Sequence, residues 1–104
     1  METLRPVVAK PDLDSRDKTL TIYYVYLLKS TVNKRLYIGK SSDLKERVKR
    51  HNDGLVKSSK AYRPWVLVYY EAYRAPKDTS KRERQLKLHA AKNALKEQLM
   101  YSLD

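Results

Sequence analysis

The stretch of residues 23–51, YYVYLLKSTVNKRLYIGKSSDLKERVKRH, most constrains what this chain can fold into. Residues 21–28 are dense in β-branched and aromatic side chains, which predicts a strand. A polar turn at residues 30–34, with Asn33 expected at positive φ, leads to a second strand at residues 35–39. So short a connection predicts an antiparallel hairpin.

A helix is expected to follow the hairpin at once, over residues 44–52. Asp43 and Glu46 are three residues apart and resemble a capping box, and an Asp-Gly pair ends the helix. A rotation of about 100° per residue places Arg47 and His51 at the border of the apolar stripe. We therefore expect both side chains at the seam between helix and sheet.

The remaining elements complete one domain, residues 21–104. We predict a third strand at residues 64–71, a helix from residue 75 to 88 and a last helix at residues 91–103. Both faces of the first strand are bulky, which predicts a central strand covered by helices on each side. The predicted order is β-β-α-β-α-α, an α+β fold. The last helix should pack through Ala94, Leu95, Leu99 and Leu103.

The charge of the chain is concentrated in this domain. Residues 1–20 hold four basic and four acidic residues, so residues 21–104 carry the whole net charge of +11. We read residues 1–20, with two prolines and no periodicity, as a flexible arm. A compact basic body predicts a polyanionic partner, most simply nucleic acid, although surface charge also serves solubility.

Composition excludes several chemistries. The chain has no cysteine, so it forms no disulfide, no thiolate metal site and no thiol nucleophile. No apolar run approaches the roughly 20 residues that a membrane span needs. We expect a cytoplasmic protein, nucleoid-associated if bacterial, with no membrane partner and no small-molecule cofactor.

Four side chains in the hairpin and helix suit phosphodiester chemistry. That chemistry needs a group to orient or deprotonate water, a cation for the scissile phosphate and usually a carboxylate for a metal ion. Tyr26 and Tyr37 can be neighbours across the hairpin, Arg47 projects toward the same sheet edge, and His51 lies one turn beyond. Each also has an ordinary explanation, as a packing ring, a solvated cation or a residue near the helix dipole.

The motifs at residues 24–26 (YVY) and 37–39 (YIG) resemble the two halves of the signature of the GIY-YIG endonuclease superfamily, small stand-alone type. The second matches letter for letter, whereas the first has Tyr24 for Gly and Val25 for Ile. Ten residues separate the motifs. The resemblance spans about residues 22–98 and implies a three-stranded antiparallel sheet flanked by helices.

The resemblance also implies roles for individual residues. Arg47 corresponds to the arginine of the family's helix, His51 to the His or Tyr that follows it, and Lys40 to a Lys after the second motif. Gly39 would let the backbone pass close to a ligand. Asn93, or else Gln98, corresponds to an Asn near the final helix.

Glu83 resembles the family's metal ligand, which implies one divalent cation, Mg²⁺ or Mn²⁺. It is the only acidic residue between Asp78 and Glu97, in a run of bases, and a carboxylate there is expected to stay ionised. Its position relative to Leu86 turns it toward the core side of its helix. The ordinary alternatives are a salt bridge to Lys87 and a capping role.

Exposed cations around this unit suit contacts to duplex phosphates, although generic surface charge explains them as well. The expected nucleic-acid contacts are Lys40, Arg47, Lys57, Lys60, Arg63, Arg82 and Arg84, with Tyr62 and Lys92 beside them. No set of residues suggests readout of bases.

The leading hypothesis is a metal-dependent DNA endonuclease, with nicked and branched DNA among the substrates to test. Water activated by Tyr26 or Tyr37 would attack in line, and Arg47 would stabilise charge on the phosphate. His51 would orient water or bind phosphate. A non-cleaving nucleic-acid-binding module on the same fold is the alternative, and an RNA-associated structural protein is a weaker one.

Overall fold

The computed structural model describes residues 21–104. Within them the secondary-structure elements are β1 (Tyr23–Ser30), β2 (Leu36–Ser41), α1 (Leu44–Asn52), β3 (Trp65–Tyr73), α2 (Pro76–Leu86) and α3 (His89–Gln98). This order confirms the predicted α+β arrangement, β-β-α-β-α-α. The arm predicted for residues 1–20 lies outside the described residues. No helix in the described part is long and apolar enough to cross a membrane.

The sheet has three strands in the order β2-β1-β3, and both pairs are antiparallel. β1 is therefore the central strand, as its bulky faces predict. Tyr26 in the middle of β1 pairs with Gly39 of β2 and with Tyr70 of β3. A bulge shifts the pairing with β3 between Leu27 and Leu28.

Each face of the sheet has its own core. Val25 and Leu27 pack with Leu86 of α2 and Leu95 of α3. Tyr26 and Leu28 point to the other face, because successive strand residues alternate, and they pack with Trp65 and with apolar residues of α1. We call these the α2/α3 face and the α1 face.

Helix α1 occupies the predicted residues because both ends are fixed by side chains close in sequence. The Asp43 carboxylate accepts the backbone N–H of Glu46 at 3.1 Å. The capping box is only half formed, since the N–H of Asp43 donates to Ser41 Oγ at 2.9 Å rather than to Glu46. Gly54, at φ 77°, follows the last turn, where a residue with a Cβ would be strained.

Several predicted details are wrong. Lys34, not Asn33, has positive φ (63°), because the Asn33 side chain instead accepts the N–H of Arg35. All three strands begin and end one or two residues later than predicted. The last two helices are shorter, since Leu88 is extended and α3 ends at Gln98. Ala94 is exposed, and Ala91 packs in its place.

Candidate active site

Tyr26 occupies the centre of the α1 face and is 1% exposed. Its ring lies across Gly39 on the neighbouring strand, where a Cβ on Gly39 would stand 2.3 Å from the Tyr26 hydroxyl oxygen. No side chain therefore fits at position 39 without moving the ring. The Tyr26 ring is thus one reason for the glycine, and the approach of a ligand to its backbone stays a prediction.

The Tyr26 hydroxyl joins the two predicted residues of α1. It lies 2.9 Å from His51 Nε2 and accepts a longer bond, 3.4 Å, from Arg47 Nε. Arg47 and His51 are four residues apart on one side of the helix, as the rotation argument places them. The helix therefore delivers both groups to one oxygen atom on the sheet.

His51 is fully buried between Tyr26 and Ser59. Its Nδ1 lies 2.6 Å from Ser59 Oγ, and that hydroxyl donates in turn to the Val56 carbonyl. We assign the imidazole proton to Nδ1, so that Ser59 Oγ accepts from Nδ1–H and Nε2 accepts from the Tyr26 hydroxyl. Burial lowers the pKa of His51 to about 4, and the charge of Arg47 acts in the same direction. The imidazole is therefore neutral at pH 7.

Tyr37 completes the aromatic part of the site. Its ring centroid is 4.6 Å from that of His51, edge to face, and 6.5 Å from that of Tyr26, nearly parallel. Unlike the Tyr26 hydroxyl, the Tyr37 hydroxyl lies toward the surface, where Ser58 Oγ donates to it at 3.4 Å. The two tyrosines therefore differ in access to solvent, although their rings are neighbours.

The electrostatics of the site keep Tyr26 protonated. Burial raises the pKa of Tyr26, and the hydrogen bond and charge of Arg47 only partly oppose it. The charges of Tyr37 and Glu83 raise this pKa further. Glu83 therefore lies close enough for its charge to act on the Tyr26 hydroxyl.

Glu83 lies on α2, which packs against β1 and β2 on the α2/α3 face. Its side chain is 20% exposed, with Oε1 4.0 Å from Lys40 Nζ and Oε2 3.5 Å from Lys87 Nζ. Lys40 is the residue after Gly39 and also donates to Ser80 Oγ at 2.8 Å. The salt bridge to Lys87, one of the ordinary alternatives for Glu83, is thus present, together with a second one to Lys40. A capping role is excluded because α2 begins at Pro76.

Arg82 differs from the sequence interpretation, which placed it among the phosphate-binding cations. Its Nε and Nη2 donate to the two oxygens of Glu71 at 2.8 and 2.9 Å. Burial alone raises the pKa of Glu71, but hydrogen bonds from Arg82, Tyr69 and Tyr73 outweigh it, and the pKa is lowered. Arg82 is therefore held in a bidentate pair, and its contact with nucleic acid stays a prediction.

The other expected contacts are spread around the domain. Lys57, Lys60 and Arg63 are exposed between α1 and β3, and the Arg63 guanidinium lies against the backbone of Gly54. Arg84 is exposed on α2. Their positions are compatible with phosphate contacts, which remain predictions.

The candidate Asn93 is exposed on α3. Among the described residues, no hydrogen bond joins its side chain to Tyr26, Arg47 or Glu83, so the structure does not bring it into the site. Gln98, the other candidate, is also exposed, at the end of α3.

Ser59 is the site residue that the sequence does not reveal. It is fully buried and holds His51 through Oγ, while its carbonyl accepts the indole N–H of Trp65 at 2.9 Å. The sequence shows only a Ser-rich basic loop, in which Ser58 and Ser59 are equivalent. Ser59 lies eight residues after His51 in a loop. Because a loop has no regular periodicity, this spacing does not predict that the two side chains are in contact.

The side chains of the site suit a metal ion whose ligands are mostly waters and substrate phosphates. Within the described residues, no group of three or more His, Asp or Glu side chains is placed to hold a metal. The site offers one carboxylate, Glu83. Mg²⁺ commonly takes one or two carboxylates and completes its shell with waters and substrate phosphates. One carboxylate, completed by waters and substrate phosphates, therefore fits Mg²⁺ or Mn²⁺.

A family model described as the GIY-YIG catalytic domain matches residues 22–96. The match covers the whole sheet and every residue of the hydrogen-bonded site, so the fold and site define a catalytic domain of the nuclease type. The chain belongs to the GIY-YIG family.

Curated relatives of this chain carry the name UPF0213 protein. One from Staphylococcus epidermidis is 36% identical over 75 residues, which cover 71% of this chain and 90% of the relative. One from Staphylococcus aureus is 35% identical over the same shares of both chains. The solution NMR structure of a UPF0213 protein from Bacillus halodurans is 29% identical, with a TM-score of 0.46, and the match covers 77% of this chain and 83% of that one.

Proposed function

We propose that this protein is a metal-dependent DNA endonuclease that hydrolyses phosphodiester bonds by in-line attack of water. The observation that carries the proposal is the convergence on the Tyr26 hydroxyl. Arg47 and His51 bond to it, the Tyr37 ring stacks beside it, and the charge of Glu83 acts on it. A packing tyrosine has no need of an arginine, a neutral histidine and a nearby carboxylate together.

Tyr37 is the better candidate to orient the attacking water. The Tyr26 hydroxyl is buried and already bonded to His51 and Arg47, so it is not open to a substrate water. The Tyr37 hydroxyl lies at the surface, with only a 3.4 Å bond from Ser58. Tyr26 is then a positioning residue, which fixes the Arg47 side chain and provides the surface on which Tyr37 stacks.

Arg47 is the residue proposed to hold the scissile phosphate. Its bond to Tyr26 uses Nε and leaves the two terminal amino groups to bind a phosphate in the bidentate manner of arginine. Donors fixed before the reaction stabilise charge that develops in the transition state without reorganising. The buried hydroxyl of Tyr26 thus supports the arginine from behind.

Glu83 would hold the metal ion together with phosphate oxygens. A bound divalent cation supplies charge stabilisation and lowers the pKa of water in its shell. Lys40 and Lys87 lie beside Glu83 and can turn to bind the incoming phosphates. Exposed Lys57, Lys60, Arg63 and Arg84 would add contacts to the backbone of the duplex.

The test is a cleavage assay on supercoiled, nicked and branched DNA with Mg²⁺ or Mn²⁺ and with EDTA as the blank. Glu83→Gln and Arg47→Ala should each reduce the cleavage rate by at least about 100-fold, the usual effect of removing one fixed electrostatic group. Circular dichroism and thermal unfolding should show that both variants remain folded.

Two matched controls make the result specific. Glu97→Gln removes the same charge from an exposed position on α3, and Arg50→Ala removes an exposed arginine from α1, the helix of Arg47. Both should keep most of the activity. Equal cleavage by wild type and Glu83→Gln would reject the metal site. Salt-dependent binding with no cleavage under any metal would reject the endonuclease and support the non-cleaving binding module.

A further inference from the structure

A basic groove lies on the α2/α3 face, away from the Tyr26 site. It encloses about 470 Å³. The cations that line it come from the hairpin and from α3, and they are Lys29, Lys34, Arg35, Lys92 and Lys96. Two leucines complete the lining, and none of the described residues that line it is acidic or aromatic.

The register of the sheet fixes where the groove lies. Lys29 is on the α2/α3 face because strand residues alternate and Leu27 belongs to that core. Lys29 pairs with Leu36, whereas the next pair, Leu28 and Tyr37, points to the α1 face. The groove and the aromatic part of the site therefore lie back to back on the hairpin, with the sheet between them.

Two of the cations are already held in place. The Lys29 ammonium donates to the Leu103 carbonyl, at the end of the chain that follows α3. The Arg35 guanidinium lies 4.5 Å above the centre of the Tyr62 ring, which packs in the core of the α1 face, so this guanidinium is turned toward that face rather than into the groove. The other three are lysines, and Lys92 and Lys96 are one helical turn apart on α3. Like charges in one concavity repel each other, and a bound polyanion relieves that repulsion.

The dimensions select the form of the polyanion. The groove is the size of a small-molecule pocket, which is too small for a duplex but suits one backbone strand. A duplex is stiff over about 150 base pairs, so one lying on the α1 face does not bend round a body 22 Å thick. A single strand is flexible enough to pass the sheet edge. Without an aromatic side chain in the lining, the groove contacts phosphates rather than stacking bases.

We propose that the basic groove binds the sugar-phosphate backbone of a single-stranded arm that extends from the duplex held at the Tyr26 site. The proposal rests on the proposed function for the duplex and for the position of the cut. The substrate class is then DNA with an unpaired arm next to a duplex, bound without sequence preference.

The experiment is a fluorescence anisotropy titration in EDTA, which prevents cleavage, at salt concentrations from 50 to 200 mM. The probes are a blunt duplex and the same duplex with a single-stranded arm. Lys92→Ala/Lys96→Ala removes two groove cations. Lys77→Ala/Lys81→Ala is the matched control, since it removes two exposed lysines with the same spacing from α2, on sides of the helix away from Glu83.

We expect the groove variant to reduce the salt slope of log Kobs by about 1.4 for the arm-bearing DNA, from two lost phosphate contacts at about 0.7 each. Wild type should then lose about sevenfold more affinity than this variant between 50 and 200 mM salt. The slope for the blunt duplex should not change. Lys92→Arg/Lys96→Arg should keep the wild-type slope, which separates lost charge from altered folding.

An unchanged slope for the arm-bearing DNA would overturn the proposal, as would an equal change with the blunt duplex or with the α2 control. These outcomes are independent of cleavage, because the titrations contain EDTA. If the protein cuts nothing but shows the expected slopes, the endonuclease proposal is disproved and the groove proposal is supported. If the protein cuts both probes equally and the groove variant leaves the slopes unchanged, the groove proposal is disproved and the endonuclease proposal is supported.

Discussion

Protonation of His51 should destabilise this domain in mild acid. The imidazole is 0% exposed and is held neutral between the Tyr26 hydroxyl and Ser59. Burial lowers its pKa from 6.5 to about 4. The unfolded chain therefore binds a proton on His51 at a pH where the folded domain does not.

The sign and the size follow from proton linkage. Between pH 6.5 and 4 the unfolded state binds more protons, so the free energy of unfolding falls as pH falls and is fully present above pH 6.5. Two pKa values of 6.5 and about 4 give a loss relative to pH 7 of about 2 kcal/mol at pH 5 and about 3 kcal/mol at pH 4. For a domain of this length, each kcal/mol corresponds to about 4–8 °C in Tm.

The assay is urea unfolding at pH 7, 6, 5 and 4 on wild type, His51→Gln and His89→Gln. Glutamine does not titrate, so the difference between wild type and His51→Gln isolates the contribution of His51. His89 is exposed on α3, and His89→Gln is the control for the chemical change itself. Carboxylates such as Glu71, whose pKa is lowered, act at lower pH and contribute equally to all three proteins.

The reasoning fails if wild type and His51→Gln lose the same free energy of unfolding from pH 7 to pH 5. A second measurement covers the case in which His51→Gln does not fold. The ring protons of His51 in wild type should titrate near pH 4 by NMR, and a midpoint near 6.5 would contradict a buried neutral imidazole.

Two further predictions concern packing and ion pairing. Gly39→Ala should cost about 1–3 kcal/mol of stability by urea unfolding, because its Cβ displaces the Tyr26 ring. The cost should be smaller in a Tyr26→Phe background, which lacks the nearest atom, and simple additivity would contradict this explanation. Arg82→Ala should cost about 1–3 kcal/mol because it leaves the Glu71 carboxylate unpaired, whereas exposed Arg84→Ala should stay within about 0.5 kcal/mol. Equal effects would show that the bidentate pair does not stabilise the fold.

The fold was predictable wherever a short-range pattern determined it. Helix α1 begins and ends at the predicted residues because its cap and its terminal glycine lie within a few positions of the helix. β1 is central because both of its faces are apolar, which is a property of one segment. Strand ends were predicted less well, since the pairing partner decides how far a strand continues, as the Ser41 end of β2 shows.

Residues with long-range partners were harder to assign. Arg82 and Arg84 look alike in a basic helix, yet only Arg82 meets Glu71, eleven residues earlier on β3. The sequence does not reveal this pair. Helix periodicity predicts which side of α2 faces the sheet, but it does not predict which strand residue that side contacts. Ser59 and Ser58 are likewise indistinguishable until the loop folds over His51.

The residues of the candidate site also fall into two groups, those placed by short-range sequence and those placed by tertiary packing. Tyr26, Arg47 and His51 come from a hairpin and the helix that follows it, so a span of 26 residues fixes their geometry. Glu83 comes from a helix whose position depends on how α2 docks on β1 and β2. Its salt bridge to Lys40, next to Gly39, ties that docking to the strand that supports Tyr26. The placement of the carboxylate was therefore open in the sequence, and tertiary packing decides it.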